Sequence, residues 1–385
     1  MTPLRPQPYR LDVHDGVLDD LRERLTRTRW PDEIAESGWQ YGSNLAFMRR
    51  LTARWLDGFD WRAQEAKLNA FDQFRVPLDG INLHFIHQRG VGPDPLPLLL
   101  VHGWPGSVWE FHQLIPRLAD PAKFGGDPAH AFTVVAPSLP GFTLSFEPGQ
   151  RRLGVVEMAD LFARLMTEIL GYPRFAAQGG DWGAYVVGRL AHSHCDRLLG
   201  VHLTLLPLPL NMPFPAEPTE EERAYQDEVR HWQTEETGYS LIQGTRPQTP
   251  AYALTDSPAG LAAWIAEKFY MWTDHDGDLE ARVDLNSLLT NITLYWVTGA
   301  INSSFWPYYA VRHGPWPVPL TPSSAPTAYA SFPREIRHPP RSFAERMFNI
   351  QRWTEMPHGG HFAALEAPEL LAADVTAFFR ELRGR

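Results

Sequence analysis

Five residues, Gly179-Gly180-Asp181-Trp182-Gly183, carry the sharpest chemical suggestion in the chain. The apolar run Phe175-Ala176-Ala177 precedes them, and Ala184 to Leu190 follows as a helix. Strand, small-x-acid-x-small, helix is the arrangement of a nucleophile elbow, in which flanking glycines let the backbone turn sharply and hold one side chain out above a sheet. Here that side chain is a carboxylate rather than a hydroxyl. A serine oxygen that attacked saturated carbon would end as an ether with no way back. A carboxylate ends as an ester, and water can attack the ester carbonyl. Aspartate at the elbow therefore argues for displacement at sp3 carbon, as in an epoxide or a haloalkane, and against acyl transfer. The same five residues also suit a tight turn with a helix-capping aspartate, so other parts of the chain must decide.

His102-Gly103-Trp104-Pro105-Gly106-Ser107 follows a buried strand. A turn there can aim the backbone N–H of Trp104 at the point faced by the N–H of Trp182, and two such donors would hold an oxyanion. His102 reads as structural. In Met356-Pro357-His358-Gly359-Gly360-His361-Phe362 a strand runs into a glycine turn near the C-terminus, where a catalytic histidine belongs in the order nucleophile, acid, histidine. His361 is the better candidate base; His358 is a rival or a neighbour, and a His-x-x-His metal pair lacks an evident third ligand. Glu335 follows an earlier strand and is the candidate acid to orient the histidine. Opening an epoxide also needs a proton donor, and a tyrosine phenol stays neutral at pH 7. Tyr225, Tyr239, Tyr252, Tyr270, Tyr295, Tyr308 and Tyr309 are all available, and the pattern alone does not choose among them.

These residues need a scaffold. Residues 1–75 look helical, with Leu18, Leu21 and Leu25 on one face and Met48, Leu51 and Trp55 on another. Phe74 to His87 reads as a hairpin about Asp79-Gly80. Buried strands follow at Pro97–Val101 and Phe132–Ala136, then a helix from Met158 to Leu170 closed by Gly171, and a strand from Leu198 to Leu205. Such alternation implies a mostly parallel sheet with helices on both faces. Helical spans near Glu220–Trp232, Leu261–Trp272 and Leu285–Val297 form an insertion best placed as a lid. Strands return at Thr327–Ser331 and Arg352–Met356, and the helix Glu369–Leu382 ends the sheet domain. The expected units are an N-terminal extension (1–75), a core in two parts (76–208 and 313–385) and a lid (209–312).

A chain of 385 residues with 44% hydrophobic content can bury a sizeable core. A net charge of -10 and the lack of any basic run argue against a nucleic-acid partner. The single cysteine, Cys195, rules out an internal disulfide. The N-terminus, Met1 to Pro6, lacks the apolar core of a signal peptide, and no apolar run approaches the roughly 20 residues of a membrane span. The expectation is a cytoplasmic protein without a transmembrane anchor.

Taken together, the motifs resemble the microsomal-type epoxide hydrolase family of the α/β-hydrolase superfamily. Tyr9-Arg10-Leu11-Asp12-Val13, Leu21 to Pro31, the elbow, His102 to Ser107 and Gly359-Gly360-His361-Phe362-Ala363-Ala364 carry the likeness, which spans nearly the whole chain. It implies the α/β-hydrolase fold, Asp181 as nucleophile, His361 as base and Glu335 as its partner. Glu236-Thr237-Gly238-Tyr239 and Ser303 to Tyr308 resemble the family's two proton-donor segments, which implies Tyr239 and Tyr308, with Tyr309 one register away. The partners implied are a small-molecule epoxide and water, with no metal or organic cofactor; a homodimer is the candidate assembly. Two rivals are a haloalkane dehalogenase with the same elbow and a catalytically silent binding protein on the same fold.

Overall fold

The computed structural model describes residues 5–383; Met1–Leu4 of the N-terminal reading lie outside them. Among the described residues nine strands form one sheet in the order β1-β2-β3-β5-β4-β6-β7-β8-β9. β1 (Gln7–Tyr9), β2 (Gln73–Leu78) and β3 (Ile81–Gln88) form an antiparallel edge. β3 joins β5 (Phe132–Pro137) antiparallel, and from there on pairing is parallel through β4 (Leu96–Val101), β6 (Phe175–Gly179), β7 (Leu198–Leu203), β8 (Pro326–Ser331) and β9 (Asn349–Glu355).

Local chemistry accounts for these elements. The β2–β3 turn sets Asp79 at φ 51° and Gly80 at φ 81°, the left-handed pair that a two-residue hairpin of matching twist requires. Leu98, Leu99, Leu100 and Val101 are wholly buried because helices cover both faces of a parallel strand. Their side chains alternate: Leu99 and Val101 join one apolar core, and Leu98 and Leu100 the other. The helix expected from Met158 to Leu170 starts earlier, as Val155–Arg164, and runs on through a π turn, Leu165–Ile169, to the left-handed Gly171.

Residues 1–75 depart from an all-helical expectation. β1 pairs with β2 and extends the sheet by one edge strand. Its Pro8 hides it from any periodicity argument, and an edge strand is where proline is tolerated. The helices Asp15–Thr26 and Leu45–Asp57 do bury the anticipated leucines, Met48 and Trp55. They clasp the helical insertion: the Trp55 indole N–H donates to Thr293 Oγ1 at 3.0 Å, Ser43 donates to the Ala263 carbonyl at 2.8 Å, and Arg24 pairs with Asp256 at 2.7 Å.

The insertion holds the three expected helices and four shorter ones, Gly238–Thr245, Gln248–Asp256, Ile301–Ser304 and Trp306–His313. Their brevity, with glycine, threonine or proline in three of the four, masks them in the sequence. No helix among the described residues is long and apolar enough to cross a membrane.

The helix Asp181–Ser193 lies hard against β4. A Cβ on Gly183 would fall 1.9 Å from the Val101 carbonyl oxygen, a backbone atom that cannot swing away. Gly183→Ala is therefore expected to lower the unfolding free energy by about 3 kcal/mol, the upper end of ordinary overpacking costs. Urea denaturation followed by circular dichroism measures it.

Candidate active site

β6 ends at Gly179 and the helix starts at Asp181, so Gly180 alone separates strand from helix. Asp181 has a left-handed backbone, φ 46°, a conformation that costs a residue with a Cβ about 1–3 kcal/mol. Glycines make the turn possible: a Cβ on Gly179 would fall 2.4 Å from the Gly183 carbonyl oxygen, and one on Gly103 2.2 Å from Asp181 Oδ1. With that space clear, the Trp104 N–H donates to Asp181 Oδ1 at 2.6 Å. The Trp182 N–H belongs to the first turn of the helix, among the amides that have no partner within it.

Asp181 Oδ2 faces the other way. It stands 3.5 Å from His361 Nε2, while His361 Nδ1 lies 2.5 Å from Glu335 Oε1. The His361 and Glu335 side chains are 2% and 0% exposed. Burial disfavours a charged imidazole, but Glu335 and then Asp181 outweigh it and hold His361 well above its ordinary range. The two loops are fastened together, with Arg334 N–H donating to the Gly359 carbonyl at 3.2 Å. His358 is half-buried on the same turn. No group of three or more His, Cys, Asp or Glu among the described residues is placed to hold a metal ion. His102 is a buried strut: its Nε2 accepts from the Leu139 N–H at 3.1 Å, and burial lowers it to about 4.

Above Asp181 a cleft of about 240 Å³ is lined by Trp182, Tyr185, Trp232, Tyr239, Tyr308 and Trp316, among others. Tyr239 and Tyr308 meet edge to face at 5.7 Å between ring centres. Trp104 stacks on Tyr239 at 5.3 Å, and Trp182 meets Tyr308 at 4.7 Å. Burial, then Asp181, raises Tyr239 well above the usual phenol value; burial, Tyr239 and Asp181 do the same to Tyr308. Both phenols therefore resist ionisation. Tyr309 points elsewhere, stacked between Trp306 and His313 at 5.3 and 4.0 Å. Tyr270 stacks on Trp39 at 3.9 Å, Tyr295 donates to the Gly106 carbonyl, Tyr225 packs on Phe343, and Tyr252 is exposed.

Several contributors escape the sequence reading. The end of the helix Pro258–Trp272 holds the histidine turn: the Trp272 carbonyl accepts the His361 N–H at 2.9 Å, and Asp274 accepts the Gly359 N–H at 2.8 Å. Glu366 accepts from the N–H groups of Phe362 and Asp274, at 2.9 and 2.7 Å. Behind the carboxylate, a water-sized cavity lies between Gly103, Glu110, Gln178, Asp181, Thr204 and His361. Burial raises Glu110 to about 8 despite the pull of His361. Glu110 stands three residues after Ser107, the spacing of a helix-capping pair, which is how its sequence context disguises it.

A strand–aspartate–helix turn, a backbone donor from the β4 loop, and a buried acid–histidine pair on the loops after β8 and β9 define an α/β-hydrolase with a carboxylate at the elbow. The comparisons with known proteins agree. A family model described as alpha/beta hydrolase fold matches residues 97–251, and one described as epoxide hydrolase N terminus matches residues 6–111. A Stigmatella aurantiaca protein whose epoxide hydrolase name is provisional is 42% identical over 98% of this chain and 86% of its own. Rabbit (Oryctolagus cuniculus) epoxide hydrolase 1 is 36% identical, covering 97% of this chain and 88% of that one. The structure of Aspergillus niger epoxide hydrolase superposes with a TM-score of 0.86 at 29% identity, over 98% of this chain and 96% of the other. The chain belongs to the epoxide hydrolase family.

Glu335→Gln removes the stronger of the two charges that favour imidazolium, so the His361 titration moves to lower pH. Imidazole NMR shifts across pH in the parent and variant proteins measure this; an unmoved titration would mean that Glu335 does not set the charge of the imidazole.

Proposed function

We propose that this protein hydrolyses epoxides to vicinal diols through a covalent ester on Asp181. The observation that carries the reading is the division of labour at that carboxylate. Oδ1 is tied to the Trp104 N–H, whereas Oδ2 is turned towards His361 beneath two neutral phenols. In the first step Oδ2 attacks an epoxide carbon, the C–O bond breaks, and Tyr239 and Tyr308 polarise the oxygen and supply its proton. The phenols favour an epoxide over a haloalkane, because a departing halide needs no proton.

Alkylation also switches the base on. In the resting protein His361 lies between two carboxylates and carries a proton. Esterification erases the Asp181 charge, so the imidazole gives its proton up, restoring the phenol, and becomes a neutral base. The water it then deprotonates attacks the ester carbonyl; the water-sized cavity beside Glu110 and His361 is the proposed place for that water. The Trp104 and Trp182 N–H groups hold the oxyanion. Collapse returns the Asp181 carboxylate and a protonated His361, so protons balance over the cycle without a metal or organic cofactor. A cytoplasmic location, a homodimer, and an epoxide and water as the partners belong to the same proposal.

A single turnover of styrene oxide in 18O water is expected to leave label in Asp181 and none in the first diol released. Label in that diol would mean direct attack by water. His361→Gln is expected to trap the ester, seen by intact mass spectrometry as an adduct of one epoxide, with diol formation slowed about 100-fold or more. A variant that turns over freely without an adduct would remove His361 from the reaction.

A further inference from the structure

Lys268 lies in the helix Pro258–Trp272 and is 4% exposed. Lysine is seldom buried so fully, because its ammonium loses hydration that an apolar side chain would never have had. The side chain of its neighbour Glu267 reaches the surface, with 26% exposure. Lys268 Nζ, paired with that carboxylate at 2.7 Å, instead lies 4.5 Å from the centre of the Tyr239 ring and 5.7 Å from that of Trp272. Tyr308, the other phenol of the cleft, has Trp104, Trp182 and Tyr239 around its ring.

We propose that Lys268 makes Tyr239, rather than Tyr308, the phenol that surrenders its proton to the opening epoxide oxygen. The inference rests on the covalent reading above. As Asp181 Oδ2 bonds to carbon, the epoxide C–O bond breaks heterolytically. The oxygen keeps the electron pair and takes the Tyr239 proton, leaving negative charge spread into the phenolate ring until His361 returns a proton. A desolvated ammonium against that ring attracts the phenolate more than the phenol, so it acts on the transition state more than on the resting state. The surroundings change in the same sense. Of the charged and titratable groups facing Tyr239 besides Lys268, Asp181 loses its charge on alkylation, while Tyr185, Tyr308 and Arg337 remain. Burial raises both cleft phenols most. With the ammonium against its ring, Tyr239 is the acid and Tyr308 the hydrogen-bond donor of the pair, and Lys268 is a positioning residue that acts through Tyr239.

The test is stopped-flow tryptophan fluorescence with styrene oxide in single turnover, which separates alkylation from decay of the alkyl-enzyme. Lys268→Met is expected to slow alkylation about tenfold and to leave decay within about twofold. Lys268→Arg is expected to recover most of the loss. In a Tyr239→Phe background, where ring packing survives but no phenolate can form, Lys268→Met should change alkylation by less than about twofold. The same tenfold loss in that background, or equal losses in alkylation and decay, would make Lys268 a packing residue and overturn the proposal. Should Lys268→Met not accumulate as folded protein, Lys268→Gln carries the identical comparison. A parent protein that turns over styrene oxide without any alkyl-enzyme overturns the covalent reading, and is recognised before any substitution is made.

Discussion

At the carboxyl edge of the sheet two stretches of backbone touch where side chains would normally hold them apart, and the other parts of the site take their places from that contact. Gly183 lets the helix that begins at Asp181 lie on the Val101 carbonyl, and Gly103 leaves the carboxylate room to reach the Trp104 amide. The left-handed backbone of Asp181 is part of the turn that takes the chain from β6 into that helix across the single residue Gly180. The carboxylate ends up at a helix N-terminus, where its negative charge is favoured. The strain at Asp181 is offset by the packing of Trp182, Ala184, Val186 and Val187, all buried.

Around this contact, charge is settled by crowding. Three carboxyl groups, of Asp181, Glu335 and Glu110, surround one imidazole in a volume nearly closed to solvent. They cannot all be ionised at little cost. Glu110, with the cost of burial raising it to about 8, is the neutral one. Glu335 and Asp181 favour a proton on the imidazole against the cost of its burial. Remove one charge by forming an ester and the balance tips, which is how, in the proposed reaction, one residue pair serves a resting state and a hydrolytic step without a moving part.

Much of this was readable from residue order alone, for identifiable reasons. The elbow announces itself because a left-handed turn packed against a strand demands glycine at several nearby positions, and the histidine turn because Gly359 and Gly360 precede His361. The buried strands were legible as apolar runs, and the β2–β3 hairpin from Asp79-Gly80. What stayed hidden depends on contacts between distant segments. Glu366, Asp274 and Glu110 look like ordinary helix-end or capping acids until the fold brings them to the histidine turn or behind the Asp181 carboxylate. Lys268 reads as a surface lysine in Glu267-Lys268. β1 hides behind Pro8. Among seven tyrosines, spacing has nothing to say about which two roof the carboxylate; that follows from how Gly238–Thr245 and Trp306–His313 dock, and these were the helices the pattern did not reveal.

The hydrogen bond from the His361 amide to the Trp272 carbonyl joins the last turn of a roof helix to the loop that carries the imidazole. The same roof helix is held from outside through Ser43. The last turn of that helix and the imidazole loop are therefore tied, so a shift of one pulls on the other. The aim of the imidazole is thus set from overhead as well as from the sheet edge beneath it.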